Sequence, residues 1–144
     1  MDTPTFFATP GYGDHQLRKF HYSQAVRYGD RVEIAGQGGW DDQWRYPESA
    51  RDEVIQAFDN VERTLAATGA SWRHVVSVRS YHVPGSDGQI GPEHLDTMVD
   101  QFRRRMGERA PVWTCIGVAA LASPEMRVEI EVNAIVAGDN STSR

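Results

Sequence analysis

The chain has 144 residues, 40% hydrophobic and 24% charged, which is the make-up of one soluble globular domain and excludes two independent ones. A single cysteine, Cys115, excludes an internal disulfide, the Cys/His spacings of structural zinc sites are missing, and no apolar run approaches the ~20 residues that span a bilayer. The formal charge of −5 opposes broad capture of a phosphate backbone, so the composition points to a cytoplasmic protein with no membrane partner, and it disfavours nucleic acid.

The first twenty residues mix Pro4, Pro10, Gly11 and Gly13 with Phe6, Phe7, Tyr12 and Phe20, which predicts an irregular N-terminal arm over 1–20 tied down by its rings. From Ala25 to Ala35, apolar and polar residues alternate on both sides of Gly29-Asp30, a pair suited to the positive φ angles of a tight turn, and predict a hairpin. Gly36-Gln37-Gly38-Gly39-Trp40-Asp41-Asp42 then opens a glycine-rich loop that lacks the order of a P-loop or a dinucleotide fingerprint.

Ser49 to Thr68 reads as a helix: Val54, Ala57, Phe58, Val61 and Leu65 recur at spacings of three and four, Ser49 with Asp52 resembles a capping box, and Gly69 supplies a stop. His74 to Val83 reads as a strand, with Val76 and Val78 on one face and Val75, Tyr81 and Val83 on the other. Gly91-Pro92 opens a second helix whose stripe is Leu95, Met98, Val99, Phe102 and Met106, ended by Gly107. Two strands follow, Val112–Ala119 and Met126–Ala137, the latter with Val128, Ile130 and Val132 inward and Glu129, Glu131 and Asn133 outward; residues 138–144 read as a flexible tail.

Helices lying between strands imply crossovers, hence an α+β fold with a mixed sheet and two helices on one face. The other face, expected to carry Val75, Tyr81, Val83, Trp113 and Cys115, is too apolar for water and predicts a homo-oligomer with sites where subunits meet.

Several segments together resemble the Rid/YjgF family: His21-Tyr22-Ser23-Gln24-Ala25-Val26 before a Gly-Asp hairpin, Ala35-Gly36-Gln37, Ala110-Pro111 leading to Thr114-Cys115, and Val128-Glu129-Ile130-Glu131. The likeness covers roughly Tyr22 to Ala137, within a single domain of residues 21–137. It implies a chorismate-mutase-like (YjgF-like) fold assembled as a homotrimer with a central barrel and three intersubunit clefts. It also implies hydrolysis of reactive enamines or imines to ketoacids and ammonia, without a cofactor.

Relatives that deaminate 2-imino acids hold the substrate carboxylate with an arginine in a Pro-x-Arg-Ser/Thr pattern. Here Pro111-Val112-Trp113-Thr114 puts Trp113 at that place, and Ala35 replaces a family serine. Arginine grips a carboxylate through two parallel charge-assisted bonds, whereas indole offers one N–H and an apolar face. The reading is therefore a hydrolase or deaminase-like enzyme for a conjugated, less anionic imine, enamine or related small molecule. The resemblance assigns Glu129 as the catalytic acid or base and implies a cleft lined by Tyr22, Gly36, Gln37, Trp113 and Cys115, to which Trp40 is expected to add a wall from a loop (Trp40–Arg45) that could act as a lid. A non-catalytic small-molecule-binding or regulatory trimer is the alternative.

Of the remaining candidates, Cys115 has no Cys/His motif beside it and reads as an inert apolar residue. His82 is the histidine best placed for chemistry, but it shares no metal-ligand spacing with His15, His21, His74 or His94. Arg103-Arg104-Arg105 is the one run that would suit RNA, and at a helix end it serves the helix dipole equally well.

Overall fold

A computed structural model describes residues 3–137, so the tail predicted over 138–144 lies outside the described residues. The elements run β1 (Thr5–Phe7), α1 (Tyr12–Phe20), β2 (Ala25–Tyr28), β3 (Arg31–Ile34), β4 (Gln37–Gly38), α2 (Ala50–Ala67), β5 (Val75–His82), α3 (Pro92–Met106), β6 (Val112–Gly117) and β7 (Val128–Ile135). The strands form one sheet in the order β1-β2-β3-β7-β5-β6, with the short β4 also on β7. β5 and β6, joined through α3, pair in parallel, while every other strand pairing is antiparallel.

Local chemistry sets the boundaries as expected. Tyr28 pairs with Arg31 around Gly29-Asp30, with Gly29 at φ 61°. Ser49 caps α2 by accepting from the Asp52 N–H at 3.0 Å. Pro92 starts α3, and Gly107 ends it at φ 65°. The predicted stripe of α2 is the core: Val54, Ala57, Phe58, Val61 and Leu65 are fully buried against the sheet, and truncating one of the larger ones to alanine costs about 2–5 kcal/mol. On α3 the buried line is His94, Thr97, Met98, Gln101 and Met106, while Leu95, Val99 and Phe102 are half-buried, so this helix turns a more polar side inward than its apolar pattern suggests.

The N-terminal arm is not irregular. β1 pairs with β2, and α1 is a third helix, held by a buried Gln24 whose Oε1 accepts the Thr9 N–H at 2.9 Å and whose Nε2 donates to Gln16 Oε1 at 3.0 Å. Tyr12 is buried against Trp40 and Trp44 and Phe7 packs on the main core, while Phe6 and Phe20 stay exposed, so two of the four rings anchor the arm together with the glutamine hydrogen bonds.

Alternation along β7 is as read: Val128, Ile130, Val132 and Ala134 are buried beneath the helices, and Glu129, Glu131 and Asn133 lie on the other face. On β5 and β6 it is not. A bulge between Val75 and Ser77 brings Val75 into the same core as Val78, and the following inward residues are Ser80 and His82, both fully buried. Trp113 packs edge-on against Phe102 of α3 at 5.2 Å and donates its Nε1–H to Ser80 at 2.9 Å, so it and Cys115 belong to the helix side of the sheet rather than the open one.

Candidate active site

The open face of the sheet gathers carboxylates. Glu129 stands opposite Gly38 on β4 and Tyr81 on β5, and its side chain lies along the backbone of Gly36. A Cβ at Gly36 would come within 2.7 Å of the Glu129 carboxyl carbon and of one carboxyl oxygen, so a bare α-carbon is what lets the acid sit there. Burial, and after it the charge of Glu131, pushes the Glu129 carboxyl above the ordinary carboxylate range. Glu131 accepts a hydrogen bond from the Tyr81 hydroxyl at 2.6 Å.

Tyr22 is near enough to Glu129 to sense its charge. Burial raises the phenol, a hydrogen bond from the Gln24 side opposes this, and Glu129 raises it further. Tyr22 borders an open cavity of about 500 Å³ whose other walls include Phe6, His21, Glu33, Glu131 and Asn133, with no lysine or arginine lining it among the described residues. Arg79 is exposed on the same face in register with Glu131 but outside that lining. Glu129, Gly36 and Tyr22 thus lie near one another on the open face.

Gln37 and Trp40 serve a different purpose. Gln37 is fully buried on the helix side, its Oε1 accepting the Tyr12 hydroxyl at 2.5 Å and its Nε2 donating to the Ala35 carbonyl at 2.9 Å, so its side chain is structural. Trp40 is 4% exposed, with its ring over Gly38 and against Tyr12 and Trp44. Asn60 holds this loop by donating to the carbonyls of Gly38 and Trp40, both at 2.8 Å. Trp40 is therefore a packed core residue and not a free lid; it walls a second cavity of about 640 Å³ with His15, Phe20, Trp44, Tyr46 and Met126.

Trp113 and Cys115 do not meet Glu129 within one chain. They sit on edge strand β6, on the opposite face of the sheet. The Cys115 thiol is raised by burial, which weakens it as a nucleophile. Sequence reasoning overlooked Ser80 and His94: Ser80 is bonded to both Trp113 and His82, and His82 faces His94 across a 3.0 Å Nδ1···Nδ1 contact. The spacing Ser80-x-His82, two inward positions of one strand, was the available signal.

Arg104, Arg105 and Arg109 are engaged elsewhere. Arg109 donates to the Arg73 and Val75 carbonyls. Arg104 pairs with Asp100 at 2.7 Å, and Arg105 with Asp59 at 2.6 Å and Glu62 at 2.7 Å, so two of the three charges of the triplet already hold carboxylates. Among the described residues no three His, Cys, Asp or Glu side chains cluster as metal ligands, and no helix is long and apolar enough to cross a membrane.

Comparison with known proteins bears on this geometry. Residues 15–136 match the family model described as Endoribonuclease L-PSP. The RutC family protein YjgH of Escherichia coli (strain K12) is 30% identical over 119 residues, which are 82% of this chain and 87% of that protein. A 2-iminobutanoate/2-iminopropanoate deaminase of Dermatophagoides farinae is 34% identical over 112 residues, covering 76% and 81% respectively. The solved structure of a protein named YJGH superposes with a TM-score of 0.76 at 27% identity, over 94% of this chain and 96% of that one. The chain belongs to the Endoribonuclease L-PSP family, the YjgF/RidA group, and has its mixed α+β fold.

Proposed function

We propose that the protein is a cofactor-independent enzyme that adds water to reactive, conjugated N–H imines or their enamine tautomers, with Glu129 as the acid–base group. The observation that carries this reading is the half-buried Glu129 carboxyl, raised by desolvation and set against Gly36, close enough for its charge to act on Tyr22, which borders an open cavity lined by its strand neighbour Glu131. A carboxyl that keeps its proton closer to neutrality can protonate the imine nitrogen and then, as carboxylate, take a proton from the attacking water. The C=N bond becomes C=O, one water is consumed and ammonia leaves. The relative named a 2-iminobutanoate/2-iminopropanoate deaminase supports this class of chemistry.

The substrate differs from that relative's. Trp113 stands where such relatives carry their carboxylate-binding arginine, and the described walls of this chain beside Tyr22 include Glu33, Glu131 and Asn133, which favours an uncharged or cationic imine over a small anionic imino acid. Because Trp113 and Cys115 lie on the opposite face at the sheet edge, the cleft is completed by a second copy of the chain, in the homotrimer that the resemblance implies: one copy brings Glu129, Gly36 and Tyr22, its neighbour Trp113 and Cys115. RNA cleavage is not favoured, since Arg104 and Arg105 already hold carboxylates.

The test compares ammonia release from 2-iminopropanoate, generated in the cuvette by oxidation of alanine, with that from an uncharged aryl-ketone N–H imine. Faster turnover of the uncharged imine, lost in Glu129→Gln, supports the proposal. Preference for 2-iminopropanoate overturns the substrate assignment. Binding of either compound without any turnover leaves a non-catalytic binding protein.

A further inference from the structure

Behind Trp113 runs a chain of buried polar groups with no assigned role. Trp113 donates Nε1–H to Ser80 Oγ at 2.9 Å, Ser80 Oγ lies 2.8 Å from His82 Nε2, and His82 Nδ1 lies 3.0 Å from His94 Nδ1. Ser80 and His82 are fully buried, and His94, at 7% exposure, carries the chain toward the surface.

The protons in this chain are countable. Two ring nitrogens 3.0 Å apart share one hydrogen, so in the neutral pair one Nδ1 and the Nε2 of the other ring are protonated. If His82 holds the shared hydrogen, its Nε2 accepts from the Ser80 hydroxyl, and Ser80 in turn accepts from Trp113. Every bond of the chain then joins one donor to one acceptor. When the pair takes up one proton, both Nε2 atoms must carry hydrogen. His82 then turns from acceptor to donor toward Ser80, and the Ser80 hydroxyl proton has to leave that bond for the neighbouring Cys115 thiol, while its oxygen takes two donors at once.

We infer that Ser80 and His82 are positioning residues for Trp113: they consume the indole's one donor, so that Trp113 offers a ligand its apolar ring, and they couple the setting of that ring to proton uptake by the His82–His94 pair. That Trp113 meets a ligand rests on the two-copy cleft proposed above; the hydrogen-bonded chain does not. Both imidazoles are held below their usual range, His82 by burial and then by His94, His94 by burial, so the coupled change lies on the acid side of neutrality. The charged groups facing the pair are Glu53 and Glu93, which favour the proton, and Arg127, which opposes it; Glu53 and Arg127 largely neutralise one another as an ion pair.

The experiment is a ¹H–¹⁵N spectrum of the labelled full chain without substrate, the Trp113 indole signal being assigned through Trp113→Phe. From pH 7.5 downward the Trp113 signal is expected to move with titration of the histidine pair while that of Trp40, whose ring stacks on neither histidine, stays in place. In His82→Gln the pH response disappears, and in Ser80→Ala the signal shifts at pH 7.5 and its exchange with water quickens. A Trp113 signal indifferent to pH, or unchanged in Ser80→Ala, overturns the inference. Should either variant fail to fold, the wild type decides: ¹⁵N shifts must show His82 Nε2 bearing a lone pair at pH 7.5, and a protonated Nε2 there contradicts the chain. Because no turnover is measured, failure of this inference is separable from failure of the proposed activity.

Discussion

Gly36 and Glu129 form a pair in which the missing side chain of one makes room for the carboxylate of the other, with a hypothetical Cβ 2.7 Å from the Glu129 carboxyl carbon. Gly36→Ala is expected to leave the fold in place, because the clash falls on a movable side chain, yet to shift the acid. The measurement is kcat alongside a thermal melt: a drop of about tenfold or more with little change in Tm is expected, from the sensitivity of catalysis to small displacements.

Removing the acid while keeping its shape separates chemistry from stability. Glu129 is desolvated and beside Glu131, so its folded-state pKa is raised, and ionisation above that pKa works against the folded state. Glu129→Gln is therefore expected to lose about 10²- to 10⁴-fold in kcat, while its Tm at pH 8 is equal to or higher than that of the wild type. A lower Tm at pH 8 contradicts the burial argument.

Acid should weaken the fold through the buried histidines. His82 is lowered from 6.5 to about 4, so below about pH 6.5 the unfolded chain binds a proton that the folded one refuses. Stability present at neutral pH is then lost as the pH falls toward 4, by about 3 kcal/mol for this group. Urea midpoints followed from pH 7 to 4.5 should fall more steeply for the wild type than for His82→Gln.

The loop bearing Trp40 is tied to the sheet through a buried carboxylate. Glu53 is fully buried and accepts from the Arg127 N–H at 2.7 Å and from its guanidinium at 2.5 Å, while the same guanidinium donates to the Pro47 and Glu48 carbonyls. Glu53→Ala leaves that charge without its partner and is expected to cost about 3 kcal/mol by chemical denaturation. Lys in place of Arg127 cannot reproduce the fork and should recover only part of the stability.

What the sequence disclosed depended on how sharply each pattern discriminates. Val128, Ile130 and Val132 alternate with Glu129, Glu131 and Asn133, so the β7 faces were legible, and with them the side on which Glu129 lies. Phe58, Val61 and Leu65 gave α2 in the same way. On β6, Val112, Trp113, Cys115 and Ile116 are apolar on both parities, and the strand is a sheet edge with neither face fully buried, so alternation could not assign Trp113. The roles of Gln37 and Trp40 hang on Tyr12 and Asn60, partners at least 20 residues away in the chain, and on an N-terminal helix whose Gly11 and Gly13 disguised it as a loop. Non-local polar pairing of that kind leaves no periodic trace.

The central claim is that Glu129 of one copy and Trp113 of another face the same substrate, and complementation tests it most directly. Glu129→Gln and Trp113→Ala chains are unfolded together, refolded as a mixture and assayed for ammonia release from the aryl-ketone imine. A mixed cyclic trimer with two chains of one kind and one of the other contains one intact cleft, so turnover should rise to about a third of the wild-type value per mixed trimer, well above either parent. Activity that remains at the average of the two parents would contradict a cleft shared between copies.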